Sequence, residues 1–192
     1  MSTKSPTRSA ARDRLLAAAD ELFYEEGVHT VGIDRVIEKA GVAKATLYSA
    51  FGSKEELVRA YLNGRHASWR ERMTRQLAGY RDPRDRLLGV FDFLAERMAA
   101  PGFHGCAFAN ASAESPPGSS AEEASTEYRT WLRSLFTDLA RDVGVPDPGG
   151  IARQFLLLYD GANISARMDR DPSAAATARA AAASLLDSAT EG

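Results

Sequence analysis

Apolar residues recur along most of this chain at the three- and four-residue spacing of a helix face, and no stretch alternates at the two-residue period of a strand. The clearest run spans 30–57. There Ile33, Val36, Ile37 and Ala40 fall at i, i+3, i+4 and i+7, and Gly41 supplies the positive φ that ends a helix. The spacing resumes at Leu47, Ala50 and Phe51, so two short helices joined by a glycine turn form a helix-turn-helix. Upstream, Leu15, Ala18, Ala19, Leu22 and Phe23 predict a first helix over 9–26, closed by Gly27. Downstream, Ser53 and Glu56 have the spacing of a capping box, in which each side chain takes a backbone N–H of the other. They open a long helix that Leu57, Tyr61, Trp69, Met73 and Leu77 carry to about residue 80.

Five more helices follow from the same pattern. One covers 81–99, with Leu87, Leu88, Phe91, Leu94 and Met98 on its apolar face, and ends before Pro101-Gly102. The others cover 106–113, 121–143, 149–168 and 172–188. Asp171-Pro172 places a proline at the first position of the last one. The loop Ser115-Pro116-Pro117-Gly118-Ser119-Ser120 and the proline- and glycine-rich break at 144–150 separate them. The expected fold is therefore all-α, with about nine helices: an N-terminal three-helix head over 1–52 and a C-terminal helical bundle over 53–192.

Composition narrows the function classes. The 192 residues are 44% hydrophobic and 26% charged, and even the alanine-rich tail is broken by Arg179, so no apolar run of about 18 residues exists to span a membrane. The start, Met-Ser-Thr-Lys-Ser-Pro-Thr-Arg, lacks the apolar stretch of a secretory signal, which places the chain in the cytoplasm. One cysteine, Cys106, excludes an internal disulfide framework and a multi-cysteine zinc site. His29, His66 and His104 lie on separate segments, and no hydrolase, zinc or phosphate-loop motif occurs, so neither an enzyme nor a cofactor or metal is expected. A net charge of −2 excludes a nonspecific coat for nucleic acid but not a local basic footprint. Lys4, Arg8, Arg12 and Arg14 face only Asp13. They read either as an arm that touches DNA or as a solvated tail, with 1–8 disordered.

The ordered set Ala40-Gly41-Val42-Ala43-Lys44-Ala45-Thr46-Leu47-Tyr48, followed after Phe51 by Ser53-Lys54-Glu55-Glu56-Leu57, resembles the DNA-binding motif of the TetR family of bacterial transcriptional regulators. The match is close over 10–62, with weaker echoes beyond. The second motif helix supplies Ala43, Lys44, Ala45, Thr46, Tyr48 and Ser49, and by that resemblance Lys44, Ala45, Tyr48 and Ser49 face bases, Lys44 toward guanine acceptors and Ala45 toward a thymine methyl. Thr46, Tyr48 and Lys54 contact phosphates, Lys54 from the positive end of the long helix. Each has a plainer rival: a local cap for Thr46, packing on the first helix for Tyr48, a solvated surface residue for Lys54.

Three positions depart from the family pattern. Gly32 stands where a capping hydroxyl is usual and offers only backbone N–H groups, Ile37 replaces a common alanine and sets the motif helices slightly farther apart, and Ala50 replaces a histidine donor.

For the rest of the chain the resemblance implies operator DNA and a small-molecule effector as partners, and a homodimer through the helices at 149–168 and 172–188. The alanines of 174–183 suit close helix approach, against the plainer reading of a monomeric core helix. The effector pocket is expected among Phe91, Phe103, His104, Cys106, Phe108, Asn110, Tyr128, Trp131, Phe155 and Tyr159, each of which also reads as ordinary core. His104-Gly105-Cys106 through Asn110, together with Glu114, resembles a Gly-Cys-x-x-x-Asn segment of one TetR subgroup. This opens a thiol-sensing reading, beside Cys106 as a small buried apolar residue. The implied function is a repressor released from its operator by a small molecule. The alternatives are a redox or electrophile sensor through Cys106 and a ligand-binding module without DNA binding.

Overall fold

A computed structural model of the chain describes residues 6–190, and side chains from residue 9 on. Among these residues there are nine α-helices and no strand: α1 Pro6–Glu26, α2 Ile33–Ala40, α3 Lys44–Phe51, α4 Lys54–Leu77, α5 Pro83–Ala99, α6 Ala107–Ala113, α7 Ser120–Val143, α8 Pro148–Met168 and α9 Ala174–Thr190. They form two compact units, Met1–His66 with Ala107–Thr126, and Ala67–Cys106 with Glu127–Gly192. The division falls within α4 and within α7. No described helix is long and apolar enough to cross a membrane.

In the first unit α1, α2 and α3 pack on one another through the faces their spacing predicts: Leu15, Ala19, Leu22 and Phe23 with Val36, Ile37 and Leu47, all buried. Gly41 adopts φ 61°. Its N–H and that of Val42 bond back to the carbonyls of Glu38 and Ile37, which closes α2 and turns the chain into α3. The first half of α4 lies close to α1, with the Tyr61 and Phe23 rings edge to face at 5.7 Å. Farther along, Arg65 grips Asp20 with two nitrogens at 2.7 and 2.9 Å.

Several expected boundaries move, each for a local reason. α1 begins at Pro6, three residues before the expected start at 9, so Arg8 of the expected arm joins Arg12 and Arg14 in the helix. Arg14 donates to the Ala40 carbonyl at 3.1 Å, and Arg12 lies 4.8 Å from the centre of the Phe51 ring. Lys4 and the rest of 1–5 lie outside the described residues.

The capping box at α4 is only half made. Ser53 accepts the Glu56 N–H at 3.2 Å, while the Glu56 carboxylate accepts from the Ser120 hydroxyl and pairs with Arg59. α4 stops at Leu77 because Tyr80 leaves the helix line: its hydroxyl donates to Asp92, and its ring fills the space beside Gly89 where a Cβ would sit 2.6 Å away. α5 starts at Pro83 behind the capping carboxylate of Asp82. The last helix starts at Ala174 and not at Pro172, because the Asp171 carboxylate takes the Ser173 N–H and hydroxyl and holds a turn there.

In the second unit Phe91, Phe136, Phe155 and Tyr159 interlock with ring centres 5.7 to 6.2 Å apart. α9 buries Ala175, Ala178, Ala182 and Leu186, one per turn, against α5 and α8. Ion pairs Arg179–Asp92 and Arg84–Asp187 tie it to α5. Phe136 touches all three other rings and is fully enclosed. Replacing it with alanine is expected to cost about 3–5 kcal/mol, read as a lower midpoint in urea at unchanged helix content. A loss below about 1 kcal/mol would show that the cluster can collapse around the gap.

Candidate nucleic-acid interface and effector site

α3 has eight residues and buries one of them, Leu47. Everything else on the helix is at least partly accessible. Lys44, Ala45, Tyr48 and Ser49 share its open side, with Tyr48 46% exposed, so its ring is not taken up by the core. Ala43 is the N-cap, extended at φ −76° and without a side-chain bond, and the Thr46 N–H donates to its carbonyl at 2.9 Å. Ala43, Ala45, Thr46 and Ser49 line one groove with Ala10, Ala11 and Arg14 of α1, about 580 Å³ in volume. Small side chains along the groove, with the exposed amine of Lys44 and phenol of Tyr48 on the same helix, match what close approach to base edges requires.

Lys44 is not a lone cation. Its amine lies 3.0 Å from the Asp34 carboxylate, and that hydrogen bond, with the carboxylate's charge, raises its pKa. Gly32 caps α2 by backbone alone at φ −77°, and a Cβ there would meet nothing within 4 Å, so the glycine answers no steric demand. Lys54 is placed apart from the α3 groove. It lines a cleft of about 180 Å³ with Val28, His29, Val58 and Glu114, where partial burial lowers its pKa against the opposing pull of Glu114.

The expected effector residues fall into three places. Phe91, Phe155, Tyr159, Tyr128 and Trp131 are joined in one aromatic cluster, in which the Tyr128 and Tyr159 hydroxyls lie 3.3 Å apart. Phe103 and His104 line a cleft of about 480 Å³ with Met98, Arg167 and Arg170, and Cys106 follows them as a partly exposed cysteine outside any disulfide. Phe108 and Asn110 belong to α6 in the first unit, where the Phe108 ring meets His66 and its carbonyl accepts from Ser125.

Two residues of the cluster have no signal in the sequence. Arg97 is 7% exposed, stacks 3.7 Å over Trp69 and donates to the Tyr159 hydroxyl at 3.3 Å. Asn163 is buried, donates to the Tyr159 carbonyl, and leaves its Oδ1 without a hydrogen-bond partner among the described residues. An arginine on an amphipathic helix reads as a solvated residue until the packing is known. The same is true of Asp34, which finds Lys44 only across the turn. No group of three or more metal-ligating side chains occurs among the described residues.

Comparisons with known proteins bear on both regions. The profile described as bacterial regulatory proteins, tetR family, matches residues 15–61. The fold aligns with a crystal structure of a TetR-family transcriptional regulator from Streptomyces coelicolor at a TM-score of 0.89 and 33% identity, over 94% of this chain and 96% of the other. Among sequence relatives, the transcriptional activator FasR of Mycolicibacterium smegmatis is 40% identical over 45% of this chain, and the repressor NemR of Escherichia coli 30% identical over 56%. The chain spans about half the length of these sequence relatives, 42% and 55%.

Burial raises the pKa of Tyr128 well above its ordinary value near 10 and raises that of Tyr159, with Cys106 adding to both and Arg97 opposing. A phenol whose pKa is higher in the fold adds stability that is complete below the unfolded-chain value and is lost as pH rises through the folded one. Stability is thus expected to decline above about pH 10, and less steeply in Tyr128→Phe. Urea midpoints from pH 7 to 11 check this, and equal slopes in both proteins would refute it.

Proposed function

Since the chain belongs to the TetR family of bacterial regulatory proteins, we propose that it is a cytoplasmic transcriptional regulator that binds operator DNA as a homodimer and is released by a small-molecule effector. Residues 1–52 are the DNA-binding domain, and 53–192 bind the effector and dimerise. The observation that carries the reading is the open side of α3, where Lys44, Ala45, Tyr48 and Ser49 stay accessible around the single buried Leu47. Gly32, Ala43, Thr46 and Lys54 complete the DNA-facing set. Repression is the sign proposed, as in NemR, although the relatives include the activator FasR.

Dimerisation is supported by Leu157, Ile164 and Met168. They form an apolar stripe on α8 with 72%, 57% and 77% of their surface exposed, beside a groove lined by Gly161, Ala174, Ala178 and Ala181. The effector is proposed to bind in the second unit, among Phe91, Phe103, His104, Cys106, Tyr128, Trp131, Phe155 and Tyr159, without Phe108 and Asn110, which belong to the first unit. It favours a conformation in which the two heads no longer fit successive major grooves. A second reading, a thiol sensor in the Gly-Cys-x-x-x-Asn subgroup, is favoured by the partial exposure of Cys106. In that case N-ethylmaleimide releases DNA from the wild-type protein and not from Cys106→Ser.

A duplex selected by the protein from a random-sequence library tests the main reading. Lys44→Ala with Tyr48→Ala is expected to abolish selective binding, whereas a ligand-binding module without DNA binding enriches no duplex at all. Ile164→Glu is expected to give a monomer by sedimentation and to weaken duplex binding about a hundredfold, as the second head is lost. In Asp34→Asn the freed Lys44 charge is expected to steepen the salt dependence of binding to scrambled DNA by about 0.9 in log–log slope. An unchanged slope would show that Lys44 meets no phosphate.

A further inference from the structure

We infer that Glu114, just past the end of α6, is a positioning residue for DNA reading: it holds the turn between α1 and α2 through the His29 N–H. The inference rests on the DNA-binding reading of α3 and adds to it a residue that lies outside the motif.

Three observations converge on this carboxylate. The turn at 27–32 sets the direction in which α2 leaves α1, and α2 carries α3 with it through the Gly41 corner. Within that turn the Glu114 Oε2 accepts the His29 N–H at 2.9 Å, across 85 residues of sequence. The approach is possible because residue 27 is glycine. Gly27 has φ 94°, and a Cβ there would stand 2.7 Å from both carboxylate oxygens. Two demands on one position, a left-handed backbone and room for an oxygen pair, are met by the same missing side chain.

The third observation lies across the cleft. Lys54 is the first residue of α4, which leaves α3 by way of Gly52, and it lines the cleft with Glu114 and His29. Partial burial disfavours its charge and the Glu114 charge restores part of it. A single carboxylate therefore faces both the entry and the exit of the helix-turn-helix. A carboxylate that accepts a backbone N–H forms a charge-assisted hydrogen bond, stronger than its neutral counterpart.

The test compares the full-length wild-type protein with Glu114→Ala, Glu114→Gln and Gly27→Ala, on the duplex selected from a random library and on a scrambled duplex of the same composition. Circular dichroism checks that each variant is folded. Amide exchange at His29 reports the contact itself. Glu114→Ala is expected to speed His29 exchange and to weaken binding to the selected duplex about tenfold, with scrambled-duplex binding changed less than about twofold. Glu114→Gln retains an acceptor oxygen of the same reach and should recover most of the selectivity. Gly27→Ala displaces the carboxylate, so adding Glu114→Ala to it should cause no further loss of selectivity.

The inference is overturned if Glu114→Ala binds the selected duplex like wild type while His29 exchange is fast, or if both duplexes lose affinity equally. Wild-type protein that enriches no duplex overturns the DNA-binding reading, and any reading role for Glu114 with it. That outcome is distinct because Glu114 would still slow His29 exchange.

Discussion

An eight-residue helix has little stability in water by itself, and α3 keeps its shape because Leu47 is locked into the face made by α1 and α2. This one buried side chain is the constraint that the open side of α3 depends on. Since Leu47 is the one fully buried side chain of α3, Lys44, Ala45, Tyr48 and Ser49 are left exposed, and they can be varied without disturbing the core. The anchor works only if α2 arrives at the correct angle. Gly41 sets that angle from one end with a left-handed corner, and Gly27 sets it from the other. Both are positions where a side chain would carry a conformational penalty.

The charges of the first unit are largely engaged with one another. Lys39 pairs with Glu21, Arg35 with Glu26, Lys44 with Asp34, and Arg65 with Asp20. The first three are surface pairs that add little stability. Their consequence is electrostatic: a nearly balanced surface attracts phosphate weakly in general. The proposed contact with DNA then has to come from geometry, small residues along α3 with the exposed Lys44 and Tyr48 on the same helix. That agrees with the overall charge of −2. The second unit places its one deeply buried cation, Arg97, between the Trp69 face and the Tyr159 hydroxyl, inside a cluster whose phenols stay protonated.

Much of this was legible in the chain. The apolar faces of α1, α2, α4 and α5, the corner at Gly41 and the order of nine helices follow from spacing and turn residues, since helix periodicity and backbone freedom are local properties. The errors are shifts of a few residues, and they come from side-chain contacts that range from neighbours two residues apart to partners 64 residues on. α4 ends three residues early because Tyr80 reaches Asp92 and Gly89. The capping box is half made because Glu56 meets Ser120, 64 residues on. The last helix begins two residues late because Asp171 finds Ser173. Of the arginines ahead of the motif, Arg8 reads as part of an arm until α1 is seen to begin at Pro6.

The sequence by itself determined the helical class, the motif and the side chains α3 offers outward, because each depends on residues within one or two turns of one another. Only the tertiary structure decided which of those side chains act together. It paired Lys44 with Asp34, set Lys54 in a cleft apart from the α3 groove, brought Glu114 against Gly27, and put Arg97 and Asn163 inside the aromatic cluster. Pairings of this kind span up to 87 residues, and spacing along the chain carries no information about contacts made when distant helices close on one another.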